Sequence, residues 1–376
     1  MKILFLTCGP PVVASSRTRV FQYLPFFQRE GIKYKVIINS TVLSNHLRQV
    51  CHYNSFVIKV IRFWLINLIR ACDEIFSSFQ LVRFTVLAFF YDIIFIQKVL
   101  IPNFVLKLLA QIFKRKIVFD FDDAIYDHLK FYKKRRFHQQ LPIYNLLVVE
   151  NTFTKEYVSR FTNSDILIIT GPIDCKRYYP RCSVERGEVI VGWIGSPATQ
   201  KYLTMFGGVF ERLSRAYKNS TFEFVGAQKM NFNAERFRQK EWSLDTEVGD
   251  LQNFDIGIMP LPDNEWTRGK GGYKLLQYMA VGIPYVASPV GINKELIRNG
   301  ENGFLATTEK EWYEMISLLI ENPELRKDMG IKGRSYVVEN YSFKVAAPKL
   351  ISALKRLVGE PEKRHDGKIP TNGIKL

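Results

Sequence analysis

The sequence predicts an α/β protein built from two Rossmann-like, doubly wound parallel-sheet domains that face each other across a cleft. Short apolar runs alternate with longer amphipathic stretches, which is the pattern of parallel sheets covered by helices. This alternation stops at a segment rich in glycine, proline and charge, and then starts again. With 376 residues, 47% of them hydrophobic, the chain is long enough to bury two cores.

The first domain is predicted to cover residues 1–170. Its strands are short apolar runs flanked by polar residues. They are expected at Lys2–Leu6, Tyr34–Ile38, Ile93–Ile96, Lys116–Asp120, Leu147–Val149 and Ile166–Ile169. Helices are expected between them at Thr18–Glu30 and Asn103–Phe113. Residues 171–187 have no clear period and are interpreted as a linker.

The second domain is predicted to cover residues 188–342. Its strands are expected at Val189–Trp193, Thr221–Val225, Asp255–Ile258 and Tyr285–Ala287. Its helices are expected near Gln200–Tyr217, Gly272–Val281, Glu309–Ile320 and Pro323–Asn340, and a last helix near Phe343–Leu357. The tail, residues 359–376, is basic and is predicted to be disordered.

Composition favours anionic partners. The formal net charge is +17, from 53 Lys and Arg against 36 Asp and Glu. No zinc-finger spacing, basic heptad region or aromatic RNA-binding signature accompanies this charge, so nucleic acid is not an expected partner. The five cysteines match no metal or disulfide framework, which favours a reducing compartment such as the cytoplasm.

The most apolar region, residues 56–118, is interrupted by charge too often to span a bilayer, since a span needs about 18 uncharged residues. The segment Phe63–Ile69 has basic neighbours. It fits a helix lying flat on an acidic membrane surface and equally an ordinary core helix with basic ends.

The segment Gly269–Pro284 is the most informative part of the chain. Gly271 and Gly272 precede a predicted helix whose free N–H groups and positive dipole end favour an anion. Lys270 and Lys274 are four residues apart and share one side of that helix. The segment predicts a nucleotide-diphosphate site; the alternative is an ordinary glycine turn with two solvated lysines.

Three further loops follow predicted strands and meet at the same cleft. Gly195 and Ser196 follow the first strand of the second domain and allow backbone approach to a phosphate. Arg268 adds a cation before the glycine-rich loop. After the first strand of the chain come Gly9, Arg17 and Arg19, which are predicted on the acceptor side. For Arg17 and Arg19, the alternative is that they lie on a helix turn and are solvated.

Asp122 and Asp123 belong to a run of four carboxylates that follows the strand Lys116–Asp120. Such a run can bind a metal, act as a base or hold sugar hydroxyls. Because no second ligand cluster, for example one with histidine, is evident, hydroxyl binding or base chemistry is favoured over metal. One of the carboxylates can instead cap a helix.

Several enzyme classes lack their signatures in this sequence. No Ser-His-Asp order and no Walker loop is present, and the loop after the first strand has no GxGxxG. The sequence therefore argues against hydrolases, kinases and dehydrogenases.

Taken as a set, these motifs resemble the family-4-type retaining glycosyltransferases of the GT-B fold, a group of bacterial glycosyl transferases of group 1. The resemblance spans nearly the whole chain and is strongest from Val189 to Phe343. It is carried by Phe119–Asp123, Trp193–Pro197, Lys270–Pro284, Ser288–Gly291, Asn299–Leu305 and Asn322–Ser342. It implies transfer of a hexose from a nucleotide-diphosphate sugar without a metal or other cofactor. It also implies that the second domain binds the donor, the first binds the acceptor, and the last helix, residues 343–358, packs back on the first domain.

One departure from the family affects the expected chemistry. The family often carries two glutamates eight residues apart, and these positions hold Gly269 and Gln277 here. Gln277 can bond a ribose hydroxyl as a neutral group, whereas Gly269 cannot replace a carboxylate near the sugar. The family's phosphate-binding Arg/Lys pair is not evident after Trp193–Ser196 either, so Lys270 and Lys274 are the candidates for binding the diphosphate.

These inferences predict a cytoplasmic glycosyltransferase, compatible with a peripheral place at the inner membrane face, that acts on a glycan or lipid-linked acceptor in surface-polysaccharide synthesis. Lys274, Asp122 and Asp123 are the catalytic candidates. Two alternatives remain open. One is a non-catalytic subunit that binds nucleotide-sugar or glycan, which the missing glutamates suggest. The other is a GT-B-fold sugar-nucleotide epimerase, which would change the free donor without an acceptor.

Overall fold

The computed structural model of the protein describes residues 1–39, 72, 74–181, 187–230, 232 and 236–360. The segment Phe63–Ile69, for which a membrane-lying helix was one expectation, lies outside these residues. So do residues 182–186 of the predicted linker and residues 361–376 of the predicted tail.

The first sheet has six parallel strands in the order β2-β1-β3-β4-β5-β6. The strands are β1 Lys2–Thr7, β2 Lys33–Ile38, β3 Ile93–Gln97, β4 Lys116–Asp120, β5 Leu146–Val149 and β6 Asp165–Ile168. The helices are α1 Ala14–Arg19, α2 Leu24–Arg29, α3 at residues 74–88, α4 Asn103–Lys107, α5 Phe131–Gln140 and α6 Thr152–Ser159. Helix α4 continues as the π-helical turn Leu108–Ile112, and short 3-10 turns lie at Phe21–Tyr23 and Leu141–Ile143.

The second sheet also has six parallel strands, in the order β12-β11-β10-β7-β8-β9. Its strands are β7 Val189–Ile194, β8 Ser220–Val225, β9 Phe237–Lys240, β10 Ile256–Met259, β11 Tyr285–Ala287 and β12 Phe304–Leu305. The helices are α7 Gly207–Ala216, α8 Glu247–Asn253, α9 Glu265–Arg268, α10 Tyr273–Ala280, α11 Asn293–Leu296, α12 Glu309–Glu321, α13 Pro323–Asn340 and α14 Phe343–Leu357, with a 3-10 segment at Gln200–Phe206.

The predicted fold class is confirmed: two parallel six-stranded sheets are each covered by helices. All ten predicted strands are present. The sequence missed β9 and β12, because β9 is an exposed, mostly polar edge strand and β12 has only two residues. The predicted helix Thr18–Glu30 is instead two short helices, since Pro25 lies at the start of α2 and Val20 departs from helical geometry.

Alternate residues of each central strand face opposite layers, as expected for sheets buried on both sides. In β1, Leu4 and Leu6 pack with helices α3, α4 and α5, whereas Ile3 and Phe5 pack with α2 and α14. In the second domain, Val191 and Trp193 join one core layer, and Ile190 and Ile194 join the other.

The chain crosses between the domains twice at neighbouring positions. Ile173 follows a cis Gly171–Pro172 bond, and its N–H donates to Tyr341 O at 2.9 Å. Phe343 N–H donates back to Ile173 O at 3.3 Å. Helix α14 then runs over the first domain, where Ala347 and Leu354 are fully buried against its sheet.

The segment interpreted as a linker is packed against the second domain in its described part. Tyr178 belongs to the core of that domain. Arg334 donates to Tyr178 O at 2.7 Å and to Cys175 O at 2.8 Å, which ties this segment to helix α13.

Strand order determines where loops from the two domains meet. The order reverses between β1 and β3 in the first sheet and between β7 and β10 in the second. Ligands of open α/β sheets bind at such points, beyond the carboxyl ends of the strands. The loops after β1, β3, β4, β7 and β10 therefore border the cleft. Among the helices that the structure describes, none is long and apolar enough to cross a bilayer.

Candidate active site

The glycine-rich loop before α10 places a row of backbone amides at the cleft. Gly272 has a left-handed φ of 66°, and α10 begins at the next residue without a side-chain cap. Within the described part of the chain, the N–H groups of Gly271, Gly272, Tyr273 and Lys274 donate to no protein acceptor. Gly271 and Gly272 are buried. Buried N–H groups are rarely left without an acceptor, so this row is suited to an anion.

Lys274 lies on the cleft side of α10, beside the end of β7. Its Nζ is 5.4 Å from the centroid of the Trp193 ring. A Cβ placed on Gly195 would lie 2.4 Å from Cζ2 of the Trp193 ring, so glycine is required beside the ring that Lys274 contacts. Burial, and after it the charge of Lys270, lowers the pKa of Lys274 to about 7. The site therefore contains a lysine whose charge responds to a bound anion near neutral pH.

Lys270 connects the glycine-rich loop to the first domain. Its Nζ lies 3.7 Å from Asp123 Oδ1 and 5.1 Å from the centroid of the Trp266 ring. Its side chain is 14% exposed. The structure thus brings Lys270, Lys274 and Asp123 near one another.

Arg268 and Ser196 lie further out. The Arg268 guanidinium forms a two-point ion pair with Asp263, with Nε 2.6 Å from Oδ1, and its side chain is 46% exposed. Ser196 is exposed on the loop after β7. Arg268 was predicted to hold the diphosphate, but in the structure its charge is already matched by a carboxylate five residues earlier.

The backbones of two loops approach closely where β7 and β8 end. A Cβ on Gly226 would lie 2.1 Å from Gly195 O and 3.1 Å from Trp242 Cβ. Gly226 also has a φ of 80°, which favours glycine. The contact between Gly226 and the Gly195 loop therefore requires glycine at position 226.

Gln277 is buried in a polar network of the second domain. Its Nε2 donates to Glu247 Oε1 at 3.3 Å and to Tyr178 Oη at 3.4 Å. Glu247 also accepts from Tyr178 at 2.6 Å and from Trp242 Nε1 at 3.2 Å. The position that the resemblance assigns to a ribose-binding glutamate is thus a glutamine that is hydrogen-bonded to the buried carboxylate of Glu247.

Asp122 and Asp123 lie just beyond β4, where the first domain faces the loop. Asp123 has a φ of 55°, and Lys98, beyond β3, has a φ of 58°, a conformation uncommon for residues other than glycine. Lys98 forms an ion pair with Asp122. Burial opposes ionisation of Asp122, but the charge and hydrogen bond of Lys98, a hydrogen bond from Ser15 and the charge of Arg19 together outweigh it and lower the pKa of Asp122. Asp122 is therefore an ionised hydrogen-bond acceptor at neutral pH.

The three predicted acceptor-side residues are placed differently from one another. Arg19 is buried, with Nη2 2.6 Å from Asp120 Oδ2 and Nη1 2.7 Å from Ile169 O. Arg19 is thus bonded to buried groups of the first domain, and its role in the structure is to stabilise the fold. Arg17 Nη1 donates to Val12 O at 3.3 Å, and Gly9 N–H donates to Ser16 Oγ at 3.1 Å. The loop after β1 is thus folded on itself at the cleft edge.

Sequence reasoning missed two residues at the end of β5, Glu150 and Asn151. Asn151 Nδ2 donates to Arg268 O at 3.1 Å and to Lys270 O at 3.0 Å. A Cβ on Gly271 would lie 1.8 Å from Glu150 Oε2, so the two residues are in contact. The strand-end rule that selected Asp122 would have found both, because they directly follow a buried strand.

Gly269 has no room for a side chain. A Cβ there would lie 2.4 Å from the Ala124 Cβ of the first domain. The carboxylate that the family often carries at this position is therefore absent and also sterically excluded in this arrangement. In the described residues no three His, Cys, Asp or Glu side chains are arranged to hold a metal.

Part of the second domain matches a known protein family. Residues 251–336, which include the glycine-rich loop and α10, match the family model Glycosyl transferases group 1. A trehalose synthase of Pyrococcus horikoshii is 31% identical over 88 residues, which are 23% of this chain. The match spans about a fifth (21%) of the length of that relative.

Solved structures share the whole fold at low sequence identity. Sucrose-phosphate synthase of Thermosynechococcus elongatus has a TM-score of 0.70 at 13% identity, over 96% of this chain and 99% of that one. A glycosyltransferase of Rickettsia africae has a TM-score of 0.67 at 15% identity, over 96% and 99%. Anabaena Alr3699/HepE, solved with UDP and glucose, has a TM-score of 0.64 at 14% identity, over 94% and 99%. The family match places a glycosyl transferase segment in the second domain, and the whole chain has the GT-B fold.

Proposed function

We propose that the protein transfers a hexose from a nucleotide-diphosphate sugar to a glycan or lipid-linked acceptor, with retention of configuration, in surface-polysaccharide synthesis. The observation that carries this proposal is the row of buried amides at Gly271 and Gly272, flanked by Lys270 and Lys274. These residues lie inside the matched group 1 segment. The Anabaena neighbour was solved with UDP-glucose, which supports a donor of this class.

The chemistry follows from the charge that develops on the leaving group. As the bond from the sugar C1 to the phosphate oxygen breaks, the diphosphate takes the electron pair. Lys270, Lys274 and the loop amides stabilise it, and each such donor contributes about 3 kcal/mol to lowering the barrier. The acceptor oxygen bonds to C1 from the same face, and its proton passes to the departing phosphate oxygen. In this scheme no protein nucleophile and no metal is needed.

The first domain offers acceptors for sugar hydroxyls. Asp122 is kept ionised by Lys98, and Asp123 lies beside Lys270. Ionised carboxylates accept hydrogen bonds only, which suits hydroxyl groups of the acceptor or of the transferred sugar. Gly9 lies on the neighbouring loop after β1, and Arg17 lies on the following helix, α1. We assign these residues to orientation of the acceptor.

An exposed apolar stripe on α3 supports a place at a membrane face. Ile75, Phe79, Val82 and Val86 follow a helical spacing, and each is between 61% and 71% exposed. A row of large apolar side chains in a protein of net charge +17 fits an anionic lipid surface.

The double change of Phe79 and Val82 to Glu should lower sedimentation with phosphatidylglycerol vesicles about tenfold. The same change at Ile331, which is 59% exposed on the second domain, is the control.

The donor assignment is tested by a thermal-shift screen of UDP-, GDP-, ADP- and TDP-sugars. A ligand that binds only the folded state raises the melting temperature by mass action, so the sugar nucleotide that does so identifies the donor. Lys274→Met should reduce this shift and lower transfer at least about a hundredfold, since it removes a charge that stabilises the leaving group. Lys294→Met, an exposed lysine on α11, is the matched control. Full turnover by Lys274→Met would refute the assignment.

A specific observation favours one second candidate, a non-catalytic subunit that binds the nucleotide-sugar. Gly269 lacks the family's carboxylate and its site is closed by Ala124. The two functions separate in one assay, in which the protein is incubated with donor and a lipid extract. A transferase releases nucleoside diphosphate, whereas a binding subunit gives the same thermal shift without release.

A further inference from the structure

Glu150 is a buried carboxyl group at the domain interface that the proposed mechanism does not use. It follows β5 and its side chain is 9% exposed. The contact between Glu150 Oε2 and Gly271 places the carboxyl beside the amides of the glycine-rich loop. No side chain of the loop lies between them, because position 271 is a glycine. An anion bound on those amides would therefore meet the Glu150 carboxyl.

The neighbouring residue fixes this juxtaposition. Asn151 holds the loop through its two hydrogen bonds to Arg268 O and Lys270 O. Its Oδ1 meanwhile accepts from Thr154 N–H at 2.8 Å and caps helix α6. Because both ends of its side-chain amide are hydrogen-bonded, Asn151 fixes the position of the glycine-rich loop relative to the end of β5.

The charges around Glu150 do not fully compensate its burial. Arg19 Nη1 is 3.7 Å from Glu150 Oε1, but the same guanidinium is committed to Asp120. The other charged and titratable groups that face Glu150 are Tyr23, Lys98, Asp122 and Asp123. Burial raises the pKa of Glu150 to about 8, Arg19 opposes this rise, and Asp122 and Asp123 add to it.

We propose that Glu150 is a donor-binding residue supplied by the first domain, whose protonated carboxyl donates a hydrogen bond to the diphosphate on the Gly271–Gly272 amides. This inference rests on the proposed function. An ionised carboxylate at that place would repel the diphosphate, whereas the neutral acid has an O–H to donate. Glu150 thereby makes donor affinity fall as the pH rises through its pKa.

The test is titration calorimetry with UDP, GDP, ADP and TDP between about pH 7 and about pH 9.5. Wild-type protein should lose about tenfold in affinity for the nucleotide that binds, relative to Glu150→Gln, as the pH rises. Glu150→Gln keeps a donor that cannot ionise, so its affinity near neutral pH should stay close to that of the wild type. Lys274 titrates in both proteins, so the difference between the two profiles belongs to Glu150. Glu339→Gln, an exposed residue of α13, should follow the wild-type profile.

A second variant separates hydrogen bonding from simple repulsion. Glu150→Ala has no donor and should bind about tenfold more weakly than wild type near pH 7. Affinity of Glu150→Ala equal to or above that of wild type, or parallel pH profiles for wild type and Glu150→Gln, would overturn the role of Glu150 while leaving the proposed function intact. Binding of none of the four nucleotides would remove the proposed function, and the inference with it.

Discussion

At the scale of single residues, burial decides the charge of Lys274 before any ligand arrives. The Lys274 ammonium is buried and lies near a second lysine, Lys270, and both conditions disfavour the charged form. A diphosphate would reverse this balance because opposite charge raises the pKa of a lysine. Donor binding and protonation of Lys274 are therefore linked.

This linkage predicts proton uptake on nucleotide binding. Near pH 7.5 the free protein holds Lys274 mostly neutral, since its pKa is about 7, so binding should take up more than half a proton. The measurement is calorimetry of the bound nucleoside diphosphate in buffers that differ in ionisation enthalpy. Lys274→Met should lose most of this uptake and keep only the smaller part that belongs to Glu150, whereas Lys294→Met should keep all of it. Uptake unchanged in Lys274→Met would show that another group titrates.

Arg19 shows what sequence spacing cannot predict about a residue. The sequence places it two residues from Arg17 at the cleft, yet its partner, Asp120, is 101 residues away. Which of several arginines pairs internally depends on tertiary contacts, so spacing could not separate Arg19 from Arg17. By contrast, the glycine-rich loop beside Lys270 and Lys274 was predictable, because its glycines are a local feature. The expectation that both lysines share one side of the helix was wrong, since α10 begins at Tyr273 and Lys270 precedes it.

Arg19→Met should lower the free energy of unfolding of the first domain by about 3–5 kcal/mol, because it leaves Asp120 buried without its counter-charge. The deficit should shrink as the pH falls. Without Arg19, burial keeps the pKa of Asp120 above its unfolded value, and the protonated form carries no buried charge. Urea denaturation at several pH values measures this effect. A loss of transfer at unchanged stability would instead support an acceptor-binding role for Arg19.

At the scale of elements, the central strands were predictable and the small ones were not. Strands such as β3 and β7 are buried apolar runs that carry their own signal. Strand β9 reads Phe-Arg-Gln-Lys and forms because its edge pairs with β8, which no local pattern records. The glycine-rich loop was predictable as a loop. Its clamping by Ala124, Glu150 and Asn151 was not, because those residues belong to the other domain.

That clamping predicts the effect of a single methyl group. Gly269→Ala puts a Cβ against Ala124, so the loop or the domain interface must shift, at about 1–3 kcal/mol. It should lower the melting temperature and weaken nucleotide binding together. Gly208→Ala, on α7 where a Cβ meets no atom within 4 Å, is the control and should be neutral or slightly stabilising. Normal donor binding by Gly269→Ala would show that the loop does not depend on this contact.

At the scale of the whole molecule, the last helix makes the two domains interdependent. After the second domain the chain returns to the first. Helix α14, near the end of the sequence, therefore completes the core of the first domain. Lys355 Nζ lies 2.7 Å from Glu30 Oε2, and the Met1 amino group lies 2.9 Å from Glu360 Oε1. The first domain therefore cannot reach its full stability from residues 1–170 alone.

Leu354→Ala should consequently destabilise the first domain although it changes a residue beyond the second. Leu354 is fully buried, and truncation of such a leucine costs about 2–5 kcal/mol through lost transfer energy and a cavity. Hydrogen exchange resolves the two domains: protection should fall in β1 and β3, which share the core layer of α14, while β7 and β10 stay protected. Leu318→Ala, at a residue 38% exposed on α12, is the control. Equal loss in both sheets would mean that the domains unfold as one unit, and loss confined to the second would contradict the packing of α14.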